Sequence, residues 1–100
     1  LSELYHKAGL DQPEVIINTL LRLGITNEEL KAEIGQGKKI YDILQEKNIT
    51  LDRFKKVLSK EYSARIKQAI KDDRITKEEG TRLTKLLKER MSRWDTRKNE

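Results

Sequence analysis

Four acidic residues around one turn come closest to a metal site in this sequence. They are Asp72, Asp73, Glu78 and Glu79. Closely spaced carboxylates between two helices are what EF-hand loops use to bind calcium. An EF-hand loop starting at Asp72, however, would have Arg74 at its third position, where an oxygen ligand belongs. We therefore predict no metal site here, and we interpret Glu78 and Glu79 as acids that stabilise a helix N-terminus.

Residue types suited to catalysis are scarce. Cysteine is absent and His6 is the single histidine, so thiol nucleophiles, thiolate ligands and the usual histidine dyads are excluded. Residues 35–39, Gly-Gln-Gly-Lys-Lys, are similar to a phosphate-binding loop but lack the preceding strand and the following Ser or Thr. The sequence therefore predicts a protein that is not an enzyme and that carries no cofactor.

Residues 38–60 have the spacing of a helix-turn-helix motif. An apolar helix is followed by a short turn at 48–50 and by a second helix rich in lysine. The candidate nucleic-acid contacts on that second helix are Arg53, as a base reader, and Lys55, Lys56 and Lys60, as phosphate contacts. Because any helical protein contains such helix pairs, we hold nucleic-acid binding as the alternative function.

The C-terminal segment combines a single tryptophan, Trp94, with several basic residues. Arg90 and Arg97 have the helical spacing to lie over its ring. A packed tryptophan followed by a charged end is the interpretation we favour over a basic binding terminus.

These side chains must be positioned by helices, and a helix-starting phrase occurs four times. A capping residue follows an apolar residue, and three of the four phrases have Glu three positions later, as in a capping box. The four capping residues are Asp11, Thr26, Thr50 and Thr76. Helix stops are predicted at Gly24, at 35–37, at Asn48 and at 72–73. The resulting helices lie at 2–7 and at about 12–23, 27–34, 38–47, 51–72 and 77–95, and no segment is typical of a strand.

Apolar periodicity predicts how these helices pack. Residues 51–72 and 77–95 each carry one apolar stripe, so they should form a long antiparallel hairpin. The shorter helices should cluster separately or wrap that hairpin, through Val15, Ile16, Leu20, Leu23, Leu30, Ile34, Ile40, Ile43 and Leu44. The fold class is therefore all-α, with about five to six helices and short N-terminal helices packed on a long hairpin. We expect one domain over 1–100, in which 1–48 and 49–95 are candidate sub-units.

Composition and charge limit the partners. The 100 residues include 39% charged residues, with a mean hydropathy of −0.83, and they contain no apolar run long enough for a membrane span. Residues 1–50 carry six basic and eight acidic residues, a net charge of −2, whereas residues 51–100 carry sixteen and nine, a net charge of +7. A basic half can attract nucleic acid, anionic lipid or an acidic protein, although mixed charges on long helices are more often a solvated face.

From Gly24 to Trp94 the chain resembles a family of small, exported, all-helical proteins of Gram-positive bacteria with no assigned function. The likeness lies in 23–30, 37–49 and 69–90, with departures at Asp73, where the family tends to have Gly, and at Gly80, where it tends to have a small helix former. Residues 72–87 also resemble terminal helical-hairpin modules linked to oligomerisation. The first resemblance implies export or a cell-envelope location, and a start at Leu1, without an initiator methionine or a basic-then-apolar leader, is typical of either a processed or a trimmed chain. A cytoplasmic location is the alternative, and neither resemblance supplies a catalytic residue.

The leading hypothesis is a non-enzymatic helical interaction or structural protein that binds a protein partner or itself through the hairpin. Its candidate partner surface consists of apolar residues that are equally suited to the core, namely Leu58, Tyr62, Leu87, Met91 and Trp94.

Overall fold

The protein is all-α. The computed structural model describes residues 2–11 and 13–93, and within them the chain forms six helices and no strand. The helices are α1 (Ser2–Lys7), α2 (Glu14–Arg22), α3 (Asn27–Gly35), α4 (Ile40–Glu46), α5 (Leu51–Lys71) and α6 (Lys77–Ser92). The predicted fold class is confirmed, and the boundaries agree with the predicted ones to within two residues, except at the end of α6, where the predicted last residue lies outside the described residues.

Side-chain capping explains where three of the helices begin. The backbone N–H of Glu29 donates to the Thr26 hydroxyl at 3.1 Å, and the N–H of Thr26 donates back to the Glu29 carboxylate at 3.0 Å. Thr76 caps α6 with the same reciprocal pair. Thr50 caps α5 through its hydroxyl alone, since Arg53 stands where the reciprocal acid would be. Each of these three helix starts is explained by the capping threonine and the residues that follow it in the sequence.

The predicted cap of α2 is wrong. The helix begins at Glu14, after Pro13, and no side chain caps it. Asp11, which we expected to cap this helix, lies 2.8 Å from the His6 ring instead. An interaction with the preceding helix has replaced the local one.

Two helices end at residues in the left-handed region. Asn48, between α4 and α5, has φ of 57°, and Asp73, between α5 and α6, has φ of 59°. This conformation reverses the chain, and Asn and Asp tolerate it better than most residues with a side chain. It brings α6 back against α5 as the predicted antiparallel hairpin.

The long helix α5 is the centre of the molecule. It packs against α2 on one side and against α6 on another. The buried core contains apolar residues from every part of the described chain except α1 itself: Ala8, Leu10, Val15, Ile16, Leu20, Ile25, Leu30, Ile43, Leu44, Ile49, Phe54, Leu58, Tyr62, Ile66, Ala69, Ile75, Leu83, Leu87 and Met91. Burying these side chains is what holds helices of six to nine residues, which are too short to be stable alone.

Arginines attach the N-terminal segment to the hairpin. The Arg65 guanidinium donates to the Gly9 carbonyl at 2.7 Å, and the Arg74 guanidinium donates to the Lys7 carbonyl at 3.2 Å. Arg90 lies 5.2 Å from the ring centroid of Tyr5, within the range of a cation–π contact. Its expected partner Trp94 lies outside the described residues.

Candidate functional site

The residues predicted as a partner surface are buried. Leu58, Tyr62, Leu87 and Met91 have exposed fractions between 0 and 7%, and the fifth member, Trp94, lies outside the described residues. The four buried residues fill the core between α5 and its neighbours, because the stripe that looked available for a partner is covered by helices of the same chain. In the folded chain they are core residues, and a binding surface must be sought elsewhere.

Three of the four predicted nucleic-acid contacts share an exposed face of α5. Arg53, Lys56 and Lys60 are exposed and follow one another at helical spacing, whereas Lys55 points toward the neighbouring side of the helix and is half-buried. The second helix of the predicted helix-turn-helix is thus the central helix of the fold, with only its outer face free.

Ion pairs fasten α3 and α4 to each other. Lys47, just after α4, pairs with Glu29 at the start of α3. Lys38, in the connection, lies 2.8 Å from Glu33 and 2.5 Å from Glu46. The start of α3 is therefore held near the end of α4, and we call the two helices with their connection the α3–α4 hairpin.

The electrostatics of this α3–α4 hairpin agree with its geometry. Hydrogen bonds from the Lys47 side chain and from Thr26 lower the pKa of Glu29 to about 2. Hydrogen bonds to Glu33 and Glu46 raise the pKa of Lys38, and the bond to Glu29 raises the pKa of Lys47. Glu29, Lys38 and Lys47 are therefore held in their charged forms, which agrees with the ion pairs seen in the structure.

The free end of the α3–α4 hairpin exposes large apolar side chains. Ile34 is 56% exposed, Ile40 is 39% exposed and Tyr41 is 44% exposed. Ile34 stands at the end of α3 and the other two begin α4, on either side of the 36–39 turn. We call Ile34, Ile40 and Tyr41 the tip. They are the large hydrophobic residues exposed within the described part of the chain.

The prediction that Ile34 and Ile40 pack the short helices together is wrong, because both side chains are exposed. Both belong to apolar stripes, as their neighbours Leu30 and Leu44 do, but they lie one turn further along the hairpin, beyond the last core residues. Apolar residues on both sides of a glycine-containing turn were the signal that could have identified the tip.

A buried carboxylate joins α2 to α5. Glu61 has a side-chain exposure of 6%, and its two oxygens lie 2.7 Å from nitrogens of Arg22 and Arg65. Burial acts to raise the pKa of Glu61, but the hydrogen bond from Arg65 and the charges of both arginines outweigh it and keep that pKa below its usual value. Arg65 also holds the Gly9 carbonyl. The cluster is part of the packing of the fold, and each of its charges has a partner.

The other predicted positions show no assembled site. Asp72 pairs with Arg74 at 3.4 Å, and Glu79 belongs to the capping box of α6. Among residues 2–11 and 13–93, no group of three or more His, Asp or Glu side chains is arranged to hold a metal ion. No described helix combines the length and apolar character needed to cross a bilayer.

Comparison of the chain with protein-family models, with curated proteins and with solved structures finds no match. The functional argument consequently depends on the surfaces of this molecule alone.

Proposed function

We propose that this chain is a non-enzymatic interaction domain that binds a protein partner through the tip. One observation carries the proposal: three large apolar side chains are exposed together at the end of a hairpin that two sets of ion pairs hold in place. Apolar side chains presented on a fixed support lose little conformational entropy when a partner covers them. Isoleucine and tyrosine supply apolar contact area, and the tyrosine hydroxyl can also form hydrogen bonds at the rim of an interface.

The charges beside the tip indicate the chemistry of the partner. Lys31 lies one turn before Ile34, and Lys39 directly precedes Ile40. Both lysines are exposed, and neither side chain forms an ion pair within the described residues. The exposed acid beside the tip, Asp42, accepts a hydrogen bond from the Lys39 backbone N–H, so the two lysine side chains are the charges left for a partner. The complementary surface is an apolar segment flanked by Asp or Glu.

Self-association through the tip is disfavoured by the same charges. A two-fold contact places the same patch of both copies face to face, which would bring Lys31 and Lys39 of one copy toward those of the other. Like charges in such a contact oppose binding. We therefore assign the tip to a different protein that carries acidic residues.

The test is site-specific photo-crosslinking in the cells that produce the protein. A photoreactive phenylalanine analogue replaces Tyr41, and the matched control carries it at Thr81, an exposed residue of α6. We expect one discrete adduct from position 41, whose crosslinked peptide contains apolar residues flanked by acids. The adduct should be lost when Ile34→Gln is added, a change that an exposed position tolerates.

Three results would contradict the proposal. They are the absence of an adduct at position 41, the same adducts from the Thr81 control, and an adduct made of two copies of this chain. Circular dichroism of each variant establishes that the helices are intact. Export and an envelope location remain predictions of the family resemblance.

A further inference from the structure

The outer face of α5 carries a row of cations with no acid between them. Arg53, Lys56, Lys60, Lys67 and Lys71 are exposed, and they fall within about 60° of arc at 100° per residue. We call these five residues the lysine row. Over 18 residues the row extends about 27 Å along the helix. No acid lies within that arc, since Glu61 is buried toward α2 and Asp52 stands at the margin, at the first turn.

The lysine row differs from the other charged surfaces of the molecule. Elsewhere Lys38 and Lys47 are paired with carboxylates, and the unpaired Lys31 and Lys39 beside the tip stand on different elements and form no row. Within the described residues, none of the five side chains of the row forms an ion pair. A solvated helix face usually mixes charges of both signs at i, i+4 spacing, whereas this face has one sign only. Its positive potential is therefore not cancelled locally.

The neighbouring helix α6 widens this positively charged surface. A shallow open groove beside the row is lined by Lys55, Lys56 and Ser59 of α5 and by Lys88 and Ser92 of α6, together with Asp52 and Met91. Lysine ammonium groups and serine hydroxyls are donors to phosphate oxygens. One carboxylate, that of Asp52, is the unfavourable element in the groove.

We propose that the lysine row binds the phosphate backbone of double-stranded nucleic acid without reading its sequence. The site is separate from the tip, and it replaces the predicted helix-turn-helix contact with a longer row that includes Lys67 and Lys71 and omits Lys55. Lysine acts as a point charge on phosphates, and the row contains neither Asn nor Gln, the side chains that read adenine. Arg53 is the single arginine of the row.

Other anionic partners fit the row less well. Single strands are bound by stacking bases on aromatic side chains, but both aromatic residues of α5, Phe54 and Tyr62, are buried. A helix that lies on a membrane inserts an apolar face, and the apolar face of α5 is covered by α2 and α6. Protein interfaces are depleted in lysine. Binding of a duplex without sequence specificity requires only cations that contact its phosphates.

The test measures binding of the full chain to a fluorescent DNA duplex of about 20 base pairs by anisotropy. If five phosphates are neutralised, affinity should fall about 500-fold between about 50 and about 200 mM salt. The triple variant K60Q/K67Q/K71Q leaves two cations in the row. Its affinity at low salt should be lower than that of the native chain, and raising the salt over the same range should weaken binding only about tenfold. Glutamine is a good helix former, so α5 should stay folded.

Two control variants isolate the row. K7Q/K77Q/K85Q removes the same charge from exposed lysines outside α5 and outside the tip and should keep the native salt dependence, and K60R/K67R/K71R should also keep it. The inference is overturned if wild-type chain does not bind the duplex at low salt or if both glutamine variants weaken binding equally. It is also overturned if vesicles with about 30% phosphatidylserine, or a single strand of the same length, bind more tightly than the duplex. None of these outcomes depends on the protein partner of the tip.

Discussion

Asp73 occupies a conformation that its side chain disfavours. Its φ of 59° lies in the left-handed region, where glycine has no steric penalty and other residues do. Glycine at this position would avoid that penalty, so a local cost of the present sequence is identified at one residue. The neighbour Asp72 differs, because it has an ordinary φ of −86° and bonds to Gln68 and Arg74.

Replacing Asp73 with glycine should stabilise the protein. We expect Asp73→Gly to raise the free energy of unfolding by about 0.5–1 kcal/mol, because the left-handed penalty is removed. Asp72→Gly is the matched control and should lower it, since it removes two hydrogen bonds and gains nothing from its φ. Urea denaturation followed by circular dichroism measures both variants. Destabilisation by Asp73→Gly would show that the Asp73 side chain contributes more than its backbone conformation costs.

The ionisation of Glu29 should make the stability of the folded chain depend on pH. Its folded pKa of about 2 lies below its ordinary value of 4.5, so its ionised form stabilises the folded chain above pH about 4.5. This contribution is lost as the pH falls toward 2. A carboxyl-carbon NMR titration should give a midpoint near 2. Lys47→Gln should raise the pKa of Glu29 while leaving it below 4.5, since Thr26 still donates to the carboxylate.

Lys31→Gln provides the control for that titration. It removes an exposed positive charge from α3 that does not contact Glu29, and the pKa of Glu29 should be unchanged. A midpoint near 4.5 in the native protein would show that the ion pair with Lys47 does not form in solution.

At the scale of elements, the starts of three helices could be predicted because the information is local. A threonine hydroxyl reaches the N–H three residues later whatever the rest of the chain does. The start of α2 could not be predicted, because Asp11 bonds to His6 of the preceding helix rather than to its own. Local phrases predict structure until a contact from another element competes with them.

The candidate sites were harder to predict than the elements. The stripe of Leu58 and Leu87 has the same pattern whether a partner or another helix of the chain covers it, so periodicity could not separate core from surface. The tip could not be predicted from periodicity either, because Ile34 and Leu30 share a stripe and differ in their distance from the core. The lysine row was predicted in part, since spacing placed Arg53, Lys56 and Lys60 together.

Gly80 sets how closely α5 and α6 approach each other. A Cβ added at Gly80 would lie 2.8 Å from Cδ1 of Ile70 and 3.1 Å from Cγ2 of Ile66. The Cδ1 atom can rotate away, but Cγ2 is attached next to the backbone and cannot move independently of χ1. The α5–α6 hairpin therefore has room for glycine at this position and little room for a larger residue.

Gly80→Ala should destabilise the hairpin although alanine is the better helix former. Overpacking costs about 1–3 kcal/mol and the gain in helix propensity is about 1 kcal/mol, so we expect a net loss of about 1 kcal/mol. Ile70→Val removes Cδ1, and in that background the loss should shrink by at least about 0.5 kcal/mol. Thermal and urea unfolding of the four proteins of this cycle measure the coupling. Additive effects would show that Ile70 does not limit the approach.

At the scale of the whole molecule, charge is divided between structure and surface. The α3–α4 hairpin uses Lys38 and Lys47 internally to support an apolar tip, while α5 carries the lysine row on its outer face and uses Glu61 internally. The +7 charge of residues 51–100 is thus not spread evenly but includes one continuous row. This division is why two surfaces of different chemistry are present on a chain of 100 residues.

Glu61 should matter more to the whole fold than any exposed acid. It connects α5 to α2 through Arg22, and through Arg65 it supports the bond to Gly9 that attaches the N-terminal segment. In Glu61→Gln the amide nitrogen would face a guanidinium, so two arginines lose their buried counter-charge. Because Arg22 is half exposed, we expect a loss of about 2–3 kcal/mol rather than the larger cost of a fully buried pair.

Glu14→Gln makes the same chemical change at a 66% exposed partner of Arg65 and should cost less than about 0.5 kcal/mol. Urea denaturation gives both values, and hydrogen exchange should show faster opening of residues 8–10 in Glu61→Gln but not in Glu14→Gln. Equal effects of the two changes would mean that Arg65 is held by the Gly9 carbonyl and by packing, and that Glu61 does not organise the connection between the helices. The pKa of Glu61 is lowered in the folded chain, so the difference between the two variants should diminish as the pH falls and this carboxylate becomes protonated.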